Sequence, residues 1–173
     1  MGNSKIAREN LAKEIKNGAV IIHSGDIVYR NNDTWYPFRQ DSNFYYLTEW
    51  PEPEAHAVIL IKDSKYELHM FVQDRNEEME TWEGKRLGQS GAVEQYEAEK
   101  AYSYQDYRKI LPNLLKSNST VLVRNGPVPP LRLRAVRLSE VQSESQWLQI
   151  RALVWCVAGS KRRIRGKAPL KRA

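Results

Sequence analysis

The groups in this chain that could hold a metal ion or attack a carbonyl are few. They are His23, His56 and His69, the single Cys156, and loop serines such as Ser24 and Ser90. A hydrolytic metal centre needs several imidazoles or carboxylates converging from fixed elements. Glu54 and His56 stand two residues apart, which on a strand puts both on one face, but spacing names no third ligand. Each histidine also reads as an ordinary packed or exposed imidazole. Neither Ser24-Gly25 nor Ser90-Gly91 lies in a G-x-S-x-G elbow with a base partner. One cysteine excludes a disulfide framework and a cysteine-based zinc site. Gly84, Gly88 and Gly91 give G-x-x-x-G-x-x-G, which matches neither phosphate-cradling spacing.

Recognition chemistry is better represented. Trp35-Tyr36-Pro37-Phe38-Arg39-Gln40 and Trp82-x-Gly84-x-Arg86-x-Gly88 concentrate the side chains that anchor interfaces and clamp ligands by hydrogen bonds. A second reading has these loops pack against a sheet, with Gly84 and Gly88 supplying backbone angles that only glycine takes cheaply. On spacing alone both readings stand.

These loops need elements to position them. Ala7, Leu11 and Ile15 at four-residue spacing, with Ser4 before and Gly18 after, predict a short amphipathic helix over 4–17. Ala19-Val20-Ile21-Ile22 predicts a buried strand, broken by Ser24-Gly25-Asp26. Residues 26–43 read as one long loop, and Phe44-Tyr45-Tyr46-Leu47 as a second strand. Ala57 to Ile61 is apolar at every position, the pattern of a central strand buried on both faces. After the turn chemistry of 62–65, Leu68, Met70 and Val72 alternate, completing a hairpin. Residues 103–116 carry an apolar stripe of Tyr107, Ile110, Leu111, Leu114 and Leu115. Ser103 and Asp106 suggest a capping-box start there, and Pro112 a kink. Thr120 to Val123 is a last short strand. The order predicts an α/β domain, a mixed β-sheet with flanking helices, over residues 1–123.

Charge divides the chain at the same place. Residues 1–123 hold 15 Lys/Arg against 19 Asp/Glu, a balance of −4, whereas 124–173 hold 12 against 2, a balance of +10. All Tyr, Phe and Asp lie in the first part. The second part, 124–173, lacks comparable periodicity and reads as a basic, irregular tail, disordered or frameshifted; its apolar stretch is Trp147 to Val157. Lys161-Arg162-Arg163-x-Arg165-x-Lys167 could neutralise phosphates, but base-stacking aromatics are confined to Trp147 and Trp155 and a charge run is usually a solvated face. Nucleic acid is therefore not the expected partner. With 41% hydrophobic residues a core is within reach and wholesale disorder is excluded. No window reaches a membrane span and no signal segment opens the chain, so a cytoplasmic protein is expected.

The run YPFRQDSNFYYLTEWPEPEA, Tyr36 to Ala55, resembles the loop-strand signature of the aminopeptidase P (Xaa-Pro aminopeptidase) N-terminal domain, in the creatinase/aminopeptidase P superfamily. Glu80, Trp82, Gly84, Arg86 and Gly88 resemble its second signature, E-x-W-x-G-x-R-x-G. The resemblance covers about residues 5–123 and implies a ribonuclease H-like mixed sheet. It departs at Glu49, where the family usually has glycine. If that glycine serves a positive-φ turn, Glu49 strains it by roughly 1 kcal/mol.

The resemblance implies a domain that takes part in oligomer contacts and walls the active site of a peptidase with two manganese ions held by Asp, His and Glu of a further domain. After residue 123 this chain has no Asp or His, only Glu140 and Glu144. It is therefore expected to be truncated before the catalytic domain, inactive alone, and without catalytic or metal-binding residues or a cofactor of its own. By resemblance Trp82 faces substrate or an interface, as does Tyr36, while Arg39 and Arg86 order the two loops. The expected partners are a second copy or a full-length aminopeptidase P paralogue, and peptides in the parent family. An accessory module docking on such a paralogue is the alternative, and behind it a nucleic-acid binder acting through the basic tail.

Overall fold

The computed structural model describes residues 3–32, 34–76, 78, 80–81, 84–118, 120–124 and 133–137. Helix α1 (Asn3–Ile15) leads into strand β1 (Gly18–His23). A small ribbon follows, β2 (Tyr29–Asn31) with β3 (Thr34–Trp35), then helix α2 (Ser42–Thr48). Strands β4 (His56–Lys62) and β5 (Lys65–Val72) form the hairpin. Helix α3 (Gly88–Tyr96), strand β6 (Lys100–Ser103), a 3-10 turn (Tyr104–Asp106) and helix α4 (Tyr107–Leu115) precede strands β7 (Thr120–Arg124) and β8 (Leu133–Arg137).

Six of these strands make one mixed sheet in the order β6-β5-β4-β1-β7-β8. β4 pairs antiparallel with both β1 and β5, while β1–β7 and β5–β6 are parallel. Alternation along the strands sends Val20, Ile22, Ile59, Ile61, Leu68 and Met70 to one face, under Ala7 and Ala12 of α1, Phe44 and Leu47 of α2, and Ala92 of α3. Ile21, Val58, Phe71 and Val121 point to the other face, where Tyr107, Leu111 and Leu115 of α4 cover them. The expected central strand and hairpin are thus in place. Asp63 and Ser64, both at positive φ, make the two-residue hairpin turn.

Several expectations are corrected. Phe44-Tyr45-Tyr46-Leu47 is helical, not a strand. The Asp41 carboxylate accepts the N–H groups of Asn43 and Phe44, each at 3.0 Å, and so caps α2. Phe44, Leu47 and Thr48 then fall on one buried stripe, leaving Tyr45 and Tyr46 exposed. The burial stripe overrides the strand preference of the aromatics. Residues 26–43 are not one structureless loop, since β2 and β3 pair within them.

Ser103 does not cap the helix after it; its hydroxyl donates to Asp74 Oδ2 at 2.6 Å. α4 runs through Pro112. α3 and β6 lack a sequence signal because Gly88 and Gly91 are poor helix formers and β6 is four residues long. The sheet also continues beyond residue 123. Residues 133–137, inside the stretch whose composition predicts an irregular tail, pair antiparallel with β7 and satisfy its open edge. Apart from 124 and 133–137, the residues of that stretch lie outside the described ones, including Cys156 and the basic cluster.

Glu49 occupies the left-handed position anticipated for the family's glycine, with φ 56°. Its N–H closes α2 on the Tyr45 carbonyl at 2.7 Å, and its carboxylate accepts the Ser4 N–H at 3.2 Å. The strained residue therefore also fastens the start of α1. Fully buried Arg8 makes the second fastening. It donates to the Leu47 carbonyl at 2.9 Å and to Glu97 Oε2 at 3.1 Å, and its guanidinium lies 5.3 Å from the Tyr66 ring centroid.

Candidate functional site

The strand directions gather the loops of interest at one end of the sheet. β1, β5, β6 and β7 finish there and β4 begins there, so the described residues 24–32, 34–41, 49–55, 73–76, 84–88 and 104–106 gather at that end. Carboxyl ends of strands are the usual place for ligands in sheets of this class.

Gln40 is the hub of this end. Its Oε1 accepts the Gly25 N–H at 2.6 Å and the Asp41 N–H at 2.9 Å. Its Nε2 donates to the carbonyls of Trp50 at 3.1 Å and Glu52 at 2.9 Å. Glu52 Oε1 in turn accepts the Leu87 N–H at 2.8 Å. Gly25 is glycine for space rather than dihedral freedom, because a Cβ there would sit 2.7 Å from the Arg39 carbonyl oxygen. Gly84 and Gly88, with φ 85° and 62°, hold the backbone of the second loop in the left-handed region.

A cleft of about 360 Å³ opens beside that loop, lined by Gln73, Asp74, Asn76, Gly84, Arg86 and Tyr104. Its wall is braced by hydrogen bonds from Gln73 to Glu54, and from Gln89 and Ser103 to Asp74. Arg75 donates to Glu80 at 2.7 Å and holds that carboxyl below its usual range. A few residues away the β2–β3 ribbon exposes aromatic surface. Tyr29, Trp35 and Tyr36 are 64%, 60% and 52% accessible, and the Tyr29 and Trp35 rings meet edge to face at 6.5 Å.

Beneath the loops lies a buried polar pair. Cross-strand register sets His23 opposite His56, with Nδ1 atoms 2.6 Å apart, so one imidazole donates and the other accepts. Tyr104 stacks on His56 at 4.7 Å and the Tyr107 ring lies 4.1 Å from it. Burial, then the neighbouring His23, holds His56 well below the usual histidine range. Burial, then Tyr104, pushes the Tyr107 phenol up. His69 sits apart, with Nδ1 3.3 Å from the Tyr102 hydroxyl, and burial lowers it too.

The residues marked by the sequence separate accordingly. Arg86 and Gly84 line the cleft, and Tyr36 lies in the exposed aromatic patch. Arg39 is exposed, and its neighbour Gln40 makes the bonds that order the loop. Trp82 lies outside the described residues. Glu54 and His56 do not share a ligand-binding arrangement, since Glu54 receives Gln73 and His56 faces His23. Gln40, Glu52, Asp41 and the histidine pair carry the local architecture, yet spacing marked none of these roles. Asp41 ahead of Ser-Asn-Phe was a readable helix-cap signal; the others depend on which strands pair.

Comparison with known proteins agrees with this picture. Residues 5–123 match the family described as aminopeptidase P, N-terminal domain. A Xaa-Pro aminopeptidase of Haemophilus influenzae is 42% identical over 102 residues, 58% of this chain and 24% of that protein. The structure of aminopeptidase P from E. coli superposes with a TM-score of 0.66 at 31% identity, over 69% of this chain and 28% of that one. The structure of Pseudomonas aeruginosa aminopeptidase PepP gives a TM-score of 0.68 at 30% identity, over 89% of this chain and 34% of that one. The chain spans about a quarter to a third of the length of these proteins. Two signature loops brought together by the same sheet, and a family match across most of the chain, carry the assignment: this chain belongs to the aminopeptidase P N-terminal domain family.

Proposed function

We propose that this domain controls substrate access and takes part in oligomer contacts in a manganese-dependent Xaa-Pro metalloaminopeptidase, and that this chain does not hydrolyse peptides by itself. The observation that carries the reading is the family match over residues 5–123, with both signature loops at one end of the sheet. A polar cleft beside Arg86 supports a role in receiving peptide, whose backbone offers the donors and acceptors that Gln73, Asn76 and Tyr104 complement.

The described residues do not fit a pair of manganese ions. Among them no group of three or more His, Cys, Asp or Glu could hold a metal ion. The His23–His56 pair turns its Nδ1 atoms toward each other at 2.6 Å, which leaves no room for an ion between them. Hydrolytic chemistry is therefore assigned to none of these side chains.

The test is a Xaa-Pro peptide assay with added manganese, run beside isothermal titration of the metal. No metal-dependent turnover is expected. Turnover by this chain, or two manganese ions bound tightly, overturns the inactive reading. The exposed Tyr29–Trp35–Tyr36 patch favours a second reading, docking on a full-length aminopeptidase P. Co-sedimentation with such an enzyme, lost on Trp35→Ala, separates the two.

A further inference from the structure

We propose that Gln40 and Glu52 are positioning residues that couple the Gly25 turn, the Tyr36–Asp41 loop and the Gly84–Gly88 loop into one unit. The proposal deepens the substrate-access reading, on which its meaning for peptide entry rests. A primary amide offers two lone pairs and two N–H groups. Gln40 commits all four, with Gly25 and Asp41 on its oxygen and Trp50 and Glu52 on its nitrogen. These partners fix which way the amide points and leave it no spare bond with which to adapt.

Glu52 continues the connection. Its backbone carbonyl is held by Gln40 and its side chain holds Leu87 at 2.8 Å, so one residue is tied to the first signature through its main chain and to the second through its carboxylate. Leu87 is the residue before α3 and supplies no side-chain cap to that helix. Backbone N–H groups at a helix start need acceptors, and a negative charge is favoured there. Glu52 supplies both from 35 residues away. The start of α3, and with it the loop that ends in Arg86 and Gly88, is thus fixed in part by a residue of the α2–β4 loop. A displacement at Gln40 reaches Leu87 through a single intervening residue.

Amide hydrogen exchange on the full chain, read residue by residue by NMR, tests this. Losing one charge-assisted bond predicts that Glu52→Ala speeds exchange at Leu87 about tenfold, while Ile59 in the middle of β4 changes by no more than the fall in global stability measured by urea. Glu52→Gln retains an oxygen acceptor and should bring Leu87 back to within about threefold of the parent chain. Gln40→Glu is the selective probe. It keeps an acceptor for Gly25 and Asp41 but turns an oxygen toward the carbonyls of Trp50 and Glu52. Leu87 should then exchange at least about fivefold faster while Gly25 stays within about twofold. Parent-like protection of Leu87 in Gln40→Glu would show that the loops are held independently and overturn the proposal. So would acceleration at Ile59 beyond the fall in global stability, which marks loosening of the sheet itself. Peptide turnover by this chain, the result that sinks the access-domain reading, leaves these exchange rates unchanged, so the two failures are distinguishable.

Discussion

Acidification should destabilise this fold through His56, over a pH window set by imidazole chemistry. In the folded chain His56 is buried against Tyr104 and Tyr107, and faces His23. Burial first, then His23, lowers its proton affinity well below that of the exposed side chain. Arg108 is the cation and Asp26 and Glu54 are the anions that act on Tyr104, which stacks on His56. A group with a lowered folded pKa binds fewer protons when folded, so the unfolded chain takes up the proton first and stability rises with pH.

The contribution is fully present above the unfolded value of about 6.5, and it is lost as pH falls below that value for as long as the folded imidazole stays neutral. For a single site the loss is on the order of 1–2 kcal/mol between pH 5.5 and 5.0 and negligible at pH 7.5. Carboxylate protonation adds little in that window, because unperturbed Asp and Glu titrate near 4. Burial also lowers His69, partly offset by the Glu67 carboxylate 3.6 Å from its Nε2, and it adds in the same direction. Urea denaturation at half-unit steps from pH 5 to 8 measures the slope. His56→Asn retains a polar group near the Nδ1 position but cannot titrate; it should flatten the slope, whatever it does to absolute stability. Parent stability that is level or rises toward pH 5, or an unchanged slope in His56→Asn, refutes the reasoning.

Three further perturbations probe separate fastenings. Glu97→Ala leaves buried Arg8 with the Leu47 carbonyl but no anion; because Glu97 is 53% accessible the cost should be about 1–2 kcal/mol and not the full penalty of a buried pair. Urea midpoints measure it, and added salt should narrow the gap to the parent. Asp41→Ala removes both cap bonds of α2 and should cost about 1 kcal/mol, with faster exchange at Asn43 and Phe44 by NMR. Gly25→Ala forces a Cβ to within 2.7 Å of the Arg39 carbonyl and should cost about 1–3 kcal/mol in thermal or urea unfolding. A neutral result there would mean that the 24–25 turn is free to move away.

What the chain reveals before folding follows the range of the forces involved. Ala57–Ile61 and Leu68–Met70–Val72 are readable because burial on a strand leaves a period in neighbouring residues. The helix over residues 3–15 is readable for the same reason. Phe44–Leu47 misleads because four residues are too few to separate a two-residue period from a helical one, and the deciding group, Asp41, lies outside the run. The His23–His56 contact joins residues 33 apart and the Glu52–Leu87 bond residues 35 apart. Neither pairing has a local pattern, since each exists only once β4 has found β1 and β5. The bonds of the Gln40 amide to Gly25, Trp50 and Glu52 likewise have no local pattern, since they join residues 10 to 15 apart.

The two kinds of fastening have different consequences for the candidate site. The sheet and its helices are held by close packing on two faces, so a lost methylene there is felt as global stability. The loops at the strand ends are held by a handful of directional bonds, each with a named donor and acceptor. Removing one of these bonds should leave the core intact and loosen the placement of one loop, an opening that exchange resolves residue by residue while equilibrium unfolding reports only the net cost. An end of the sheet built this way can adjust Arg86 and the aromatic ribbon without endangering the fold. Substitutions at Gln40 or Glu52 should therefore be located by loop exchange, whereas the unfolding midpoint gives only their summed cost.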